Sequence, residues 1–178
     1  MIETEYKFLL DKATFNRIKD NVCGLYNNSS TLLQTNYYYD DEQYSLNKNN
    51  ITLRVRQIGE TLKLQKKQHN IETNMPVVSD ETEKVITALP HVIDDKYFLK
   101  GSLVTQRCRV STNSSVHIDL DINYYLGICD YEVEIEINNS SNYQAETLIA
   151  ELGLANIINI QGKSSRFFQR LKNLYNLK

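Results

Sequence analysis

The sequence predicts an α+β fold in which an antiparallel β-barrel, closed or nearly closed, encloses a charged interior and carries helices on its apolar outer face. The first observation is the strict alternation of charged and apolar residues in most predicted strands, as over Tyr131–Ile137. Residues two apart in a strand share a face, so the charges of each strand lie together. The second is that each charged face carries largely one sign, whereas a surface built for solubility mixes both. A solvated face of an ordinary antiparallel sheet is the alternative.

Length and composition indicate one globular domain over residues 1–178, with 41% hydrophobic and 24% charged residues. A net charge of -2 argues against a nucleic-acid partner, and no apolar run is long enough to cross a membrane. Cys23, Cys108 and Cys129 form no C-x-x-C pair, so we expect a reduced, cytoplasmic compartment. The three histidines show no metal-ligand spacing. The sequence leaves monomer and homodimer open.

The first half of the chain is predicted to contain four strands and one helix. The opening strand places Glu3, Glu5 and Lys7 on one face, an arrangement in which carboxylates hold a cation and the lysine meets a phosphate. The following segments are a helix over Asp11–Tyr26, a strand over Leu33–Tyr39, and a hairpin that joins Ile51–Gln57 to Thr61–Gln65 through Gly59-Glu60.

The second half is predicted to mix strands and helices. Its segments, in order, are an extended stretch over Ile71–Val78, a helix over Ser79–Leu89 stopped by Pro90, a short helix over Asp94–Leu99, strands over Leu103–Val110, Val116–Leu120 and Tyr131–Ile137, a helix over Tyr143–Leu152, a short strand over Ile157–Ile160, and a closing helix over Ser164–Leu174. Several of these strands again carry charge on one face only.

The charged motifs, taken in order, resemble the CYTH superfamily, the triphosphate tunnel metalloenzymes. The resemblance covers nearly the whole chain. Within the superfamily, the sequence is most similar to the small CYTH-domain proteins of the Firmicutes. It implies an eight-stranded antiparallel barrel that forms a triphosphate tunnel. The residues that carry it are Glu3-x-Glu5-x-Lys7, Leu53–Arg56, Thr61–Lys63, Arg107, Leu120–Tyr125, Asp130–Glu134 and Lys163–Arg166.

The resemblance also implies a role for each motif. The metal, Mg²⁺ or Mn²⁺, would be bound by Glu3, Glu5, Glu132 and Glu134, with Glu136 extending the same face. The phosphates would be bound by Lys7, Arg54, Arg56, Lys63, Arg107 and Lys163, with Arg109 and Arg166 as further candidates. The catalytic residues would be Glu5, Lys7, Lys63 and Asp121, the last matching a tunnel aspartate that orients water or a basic partner. Lysines near Gln65–Lys67 are alternatives for the role of Lys63, and Ser165 stands where many relatives keep a second basic residue.

The implied function is metal-dependent hydrolysis of a small-molecule triphosphate, either inorganic triphosphate or an organic one. Two other activities need the same metal ions and basic residues. They are a class IV-type adenylate cyclase that converts ATP to cyclic AMP and pyrophosphate, and a thiamine triphosphatase. A polyphosphate- or nucleotide-binding module without turnover is the non-enzyme alternative.

Overall fold

The computed structural model describes residues 2–26, 28–69, 76–112, 116–137, 142–157 and 161–175. The strands within these residues are β1 (Ile2–Leu10), β2 (Ser29–Asp40), β3 (Ile51–Ile58), β4 (Thr61–His69), β5 (Val77–Ile86), β6 (Val92–Ile93), β7 (Tyr97–Ser111), β8 (Val116–Tyr125) and β9 (Ile128–Ile137). The helices are α1 (Lys12–Leu25), α2 (Ser45–Lys48), α3 (Asn142–Glu151) and α4 (Lys163–Tyr175).

Eight of the strands close into an antiparallel barrel in the order β2-β3-β4-β5-β1-β9-β8-β7, and pairing of β2 with β7 completes the ring. The short strand β6 adds only to the first residues of β7, outside this ring. Closure leaves no long unpaired edge in the ring. The predicted fold, an eight-stranded antiparallel barrel with helices outside, is confirmed.

Alternation divides each strand between the barrel interior and an outer hydrophobic core. In β9 the inward Glu132 and Glu134 are buried, and the outward Val133 and Ile135 belong to the largest apolar cluster. Helices α1 and α3 cover this outer face with buried apolar residues. Asp11 fixes the start of α1, because its carboxylate accepts a 2.9 Å hydrogen bond from the backbone N–H of Thr14.

Helix α4 packs across the barrel through a second apolar cluster. Phe167 and Phe168 lie against Tyr38, with ring centroids 4.9 and 5.9 Å away. Gly101 allows this close approach, because a Cβ at this position would lie 2.8 Å from the Phe167 ring and the backbone φ is +148°. The packing brings the first turn of α4 to the charged interior of the barrel.

Two helix predictions in the middle of the chain are wrong. Residues 79–89, predicted as a helix, lie largely in β5, which pairs with both β1 and β4. Charged residues on both faces of β5 hide the strand periodicity, and the barrel pairing overrides the weak apolar stripe. The predicted helix Asp94–Leu99 is a turn followed by the start of β7, and Asp94 and Asp95 adopt φ values of +51° and +52°.

The other predicted elements that fall on described residues agree with the structure in type, with changes at their ends. The predictions for Ile71–Val78 and Ile157–Ile160 lie mostly outside the described residues. The short helix α2 is an addition, and Asp40 accepts hydrogen bonds from the backbone N–H groups of Leu46 and Asn47 within it. No described helix has the length and apolarity needed to cross a bilayer.

Candidate functional site

A cavity of about 180 Å³ lies inside the barrel, between inward-facing strand residues and the first turn of α4. The charged residues that line it are Glu5, Lys7, Arg54, Arg56, Lys67, Arg107, Glu134 and Lys163. Six of these described residues are basic and two are acidic, so the lining carries excess positive charge. A cavity with this balance suits a compact polyanion.

Strands β8 and β9 present a cluster of buried carboxylates at the cavity. Asp121 and Glu132 are register partners, and Glu134 follows two residues further along β9. One oxygen from each of the three carboxylates lies within 4.8 Å of the others. Hard oxygen donors in this arrangement are the ligands that Mg²⁺ and Mn²⁺ prefer. The donor set therefore fits a divalent cation of that kind.

The ammonium group of Lys163, the first residue of α4, lies within this carboxylate cluster. Its Nζ atom is 2.8 Å from Asp121, 2.5 Å from Glu132 and 2.9 Å from Glu134. Burial alone would lower the pKa of Lys163, but the three carboxylates outweigh it and raise the pKa above its ordinary value. Lys163 is thus a counter-ion of the cluster, and its ammonium group would compete with a divalent cation for the same carboxylates.

Arg107 on β7 is the second counter-ion of the cluster. Its Nε and Nη2 atoms donate to the two carboxylate oxygens of Asp121 at 2.8 and 2.6 Å, and Nη2 also lies 2.5 Å from Glu134. Although burial opposes its charge, Asp121 and Glu134 raise the pKa of Arg107 well above its ordinary value. The guanidinium group is therefore held in one orientation at the cavity.

On β1, Glu5 and Lys7 form a buried ion-pair chain that reaches β4 and β9. The Lys7 ammonium lies 2.8 Å from Glu5 and 3.1 Å from Glu134, and Lys67 lies 2.9 Å from Glu5. Burial would raise the pKa of Glu5, but Lys7 and Lys67 outweigh it and lower the pKa to about 2. Glu5 is therefore ionised at neutral pH.

Arg54 on β3 has a neutral hydrogen-bond partner. Its Nε atom donates a 2.8 Å hydrogen bond to the amide oxygen of Gln65. The nearest carboxylate among its ion pairs, that of Glu81, lies 3.9 Å from Nη2. A long contact of this kind leaves most of the positive charge available to a ligand.

Among the basic residues that line the cavity, Arg56 has the least compensation of its charge by carboxylates. Its Nε atom donates a 3.0 Å hydrogen bond to the amide oxygen of Asn36. Within the described part of the chain, no carboxylate forms an ion pair with Arg56. Burial, followed by repulsion from Arg54 and Arg107, lowers the pKa of Arg56 to about 10. The site therefore favours an anion beside this guanidinium group.

The profile of the CYTH domain family matches residues 1–168. The chain belongs to the CYTH domain family. No curated protein sequence matches it.

Several solved structures share the fold of this CYTH domain. A proposed adenylate cyclase from Bacillus halodurans has a TM-score of 0.72 at 23% identity, covering 93% of this chain and 97% of that one. A proposed adenylyl cyclase from Hippeastrum with a dominant triphosphatase activity has a TM-score of 0.73 at 17% identity, covering 94% and 95%. The capping enzyme triphosphatase of Mimivirus has a TM-score of 0.61 at 12% identity, covering 86% and 88%. At these identities the likeness shows the fold alone.

In this CYTH domain the cavity is lined by Lys67, one of the alternatives to Lys63, and not by Lys63. The Lys63 side chain is 39% exposed and bonds to Glu83 at 2.7 Å, so it is not part of the cavity lining. Lys67 is buried, lines the cavity and pairs with Glu5. The sequence signal for Lys67 was its position four residues after Lys63, which places both on the same face of β4.

The predicted site residues Glu136, Arg109 and Arg166 are not among the residues that line the cavity. Glu136 pairs with Arg109 at 2.8 Å, and Arg109 also donates two hydrogen bonds to Asp119. Arg166 pairs with Glu132 at 3.0 Å and with Asp130 at 2.9 Å. For Glu3 the structure describes only the backbone position in β1. The structure therefore brings together Glu5, Lys7, Arg54, Arg56, Arg107, Asp121, Glu132, Glu134 and Lys163.

Proposed function

We propose that this CYTH domain hydrolyses a small-molecule triphosphate, inorganic or organic, with Mg²⁺ or Mn²⁺ as cofactor. The observation that carries the proposal is Arg56, a guanidinium group at an electropositive cavity that donates its hydrogen bond to a neutral amide. Burying such a charge is costly unless an anion compensates it. Family membership and the triphosphatase activities named for the Hippeastrum and Mimivirus proteins support the same class of substrate.

Five of the six basic residues that line the cavity divide into two groups with different tasks. Arg54 and Arg56 would bind phosphate oxygens directly, because neither has a close carboxylate partner among the described residues. Lys7, Lys67 and Arg107 would bind the same anion while remaining anchored to carboxylates, which fixes their positions. The phosphate chain would thus be held on several sides before reaction, and this positioning lowers the barrier to phosphoryl transfer.

Asp121, Glu132 and Glu134 are the residues that would hold the divalent cation. When bound, such a cation neutralises charge on the phosphoryl group and on the leaving phosphate. Lys163 would then turn from the carboxylate cluster towards the cavity, which it already lines, and meet the substrate. Glu5 would keep Lys7 in place, since its lowered pKa of about 2 ensures that it carries a charge at neutral pH.

A product assay tests the proposal and separates the alternatives. Purified protein with Mg²⁺ or Mn²⁺ would be incubated with tripolyphosphate, thiamine triphosphate and ATP, and phosphate, pyrophosphate and cyclic AMP would be resolved. We expect phosphate or pyrophosphate from at least one triphosphate, and loss of turnover on chelation. Cyclic AMP with pyrophosphate from ATP would instead identify a cyclase. Binding without any product would identify a binding module.

We also propose that residues 1–178 act as one domain and that the protein works in the cytoplasm. The family profile covers residues 1–168, which supports the first statement. Three cysteines without a disulfide among them support the second. Fractionation of cells that express the tagged chain, with a soluble cytoplasmic marker as reference, checks the location.

A further inference from the structure

Strand β2 carries three buried polar side chains on its inward face that lack a full set of partners. Gln34, Asn36 and Tyr38 are 2%, 0% and 0% exposed. The Nε2 atom of Gln34, the Nδ2 atom of Asn36 and the hydroxyl of Tyr38 make no hydrogen bond among the described residues. No other described strand has more than one such atom. Because buried donors are normally paired, these three atoms are candidates for binding a ligand.

The row lies next to the least compensated guanidinium groups of the cavity. In the pairing of β2 with β3, Asn36 is opposite Arg56 and Tyr38 is opposite Arg54. The amide oxygen of Asn36 already accepts a hydrogen bond from Arg56, so its amide nitrogen is left as the available donor. Asn36 and Tyr38 therefore lie beside the two arginines on one inner surface, and Gln34 continues the row beyond them, opposite Ile58.

The Tyr38 hydroxyl is fixed in place and remains a donor. Its ring is held by the rings of Phe167 and Phe168. Burial raises the pKa of Tyr38 above its ordinary value, although the positive charges of Arg54 and Lys163 act in the opposite direction. The hydroxyl therefore keeps its proton at neutral pH, in a field that favours an incoming anion.

We infer that Gln34, Asn36 and Tyr38 form a neutral donor row that binds oxygen atoms of a linear phosphate chain in the tunnel. The inference rests on the proposed function and adds neutral donors to its basic ones. The available atoms donate hydrogen bonds, so the matching group accepts them, and the adjacent guanidinium groups require it to be anionic. Along β2 the row spans five residues, a length of about 14 Å from the first Cα to the last, which suits a chain of phosphates better than a single one.

Two neighbouring tyrosines on β2 provide the test. Tyr38→Phe removes only the inward hydroxyl, whereas Tyr39→Phe removes an outward hydroxyl that donates a 2.7 Å hydrogen bond to the Pro90 carbonyl oxygen. For both variants, calorimetric titration with and without Mg²⁺ would give the affinity for tripolyphosphate. Thermal unfolding without ligand would give the melting temperature. Tyr38→Phe should weaken tripolyphosphate binding about tenfold and leave the melting temperature unchanged or higher. Tyr39→Phe should lower the melting temperature and leave the affinity unchanged.

Gln34→Met, a substitution of similar shape, provides a second variant with the same expectation as Tyr38→Phe. Orthophosphate binding should change less than tripolyphosphate binding in both. Unchanged tripolyphosphate affinity in Tyr38→Phe and Gln34→Met would overturn the donor row while leaving the proposed function intact. A lower melting temperature of ligand-free Tyr38→Phe would also overturn it, because the hydroxyl would then have a structural partner. Failure of the unmodified protein to bind tripolyphosphate would overturn the proposed function itself.

Discussion

Replacing Arg56 by methionine should stabilise the protein without ligand and weaken its binding of a triphosphate. The pKa of Arg56 is lowered from 12.5 to about 10, so its charged form is disfavoured in the folded protein. A lowering of this size corresponds to a cost on the order of 3 kcal/mol. The sign follows from linkage: a cation with a lowered folded-state pKa destabilises the fold at every pH below that value. Removing the charge relieves this cost across the neutral range.

The same charge should be a major source of affinity for the anion. A hydrogen bond between charged groups contributes about 1.5–3 kcal/mol, so Arg56→Met should weaken tripolyphosphate binding by at least about tenfold. Calorimetric titration gives the affinity, and urea unfolding without ligand gives the free energy of unfolding. A methionine keeps much of the arginine stem, so the change is mainly one of charge.

Arg109→Met is the matched control, because Arg109 is also inward-facing but is paired with Asp119 and Glu136. Its removal takes away one ion pair from each of the two carboxylates, so this variant should lower the free energy of unfolding. Tripolyphosphate affinity should change much less than in Arg56→Met. If Arg56→Met instead destabilised the ligand-free protein as Arg109→Met does, or bound tripolyphosphate normally, the assignment of Arg56 as an anion-binding group would be wrong.

Three further substitutions test the rest of the site. Lys67→Met should weaken tripolyphosphate binding by about tenfold, whereas Lys63→Met should leave it nearly unchanged, since the Lys63 ion pair is exposed. Equal effects of the two substitutions in a calorimetric titration would contradict the observed positions of the two lysines. Lys163→Met should tighten Mn²⁺ binding in the absence of substrate, because it removes the ammonium group that competes for the carboxylates. Calorimetry measures this affinity, and weaker Mn²⁺ binding would show that the ammonium group does not compete. Glu5→Gln should abolish Mg²⁺-dependent turnover while circular dichroism shows a folded barrel; retained turnover would remove Glu5 from the catalytic machinery.

The barrel could be predicted from the sequence because most of its strands are charged on one face and apolar on the other. In β9 this alternation fixes which side chains point inward, and Glu132 and Glu134 are buried as that pattern requires. Strand β5 lacks this pattern, because both of its faces carry charged residues. Asp80 and Lys84 lie on the outer face, and other charged residues lie on the inner one. Its conformation depends on pairing with β1 and β4, which a local pattern does not contain.

The site was only partly predictable for a related reason. Periodicity assigns a residue to a face but does not say how far along the barrel it lies, and so Lys63 and Lys67 could not be separated. The partners of each charge depend on strand register and on the docking of α4, which brings Lys163 to carboxylates on β8 and β9. Gln34, Asn36 and Tyr38 look like an ordinary polar face in sequence, and their significance comes from partners that are absent among the described residues.

The central claim is that the barrel interior binds a triphosphate. Thermal unfolding with added phosphates tests this claim most directly. Tripolyphosphate that binds only the assembled cavity stabilises the folded state by about 2.7 kcal/mol at a hundredfold excess over its dissociation constant. For a domain of this size the melting temperature should then rise by about 5–10 °C. Orthophosphate at the same concentration and ionic strength should produce a much smaller rise. Equal, small shifts with the two anions would contradict the claim, because they are what exposed and screened charges produce.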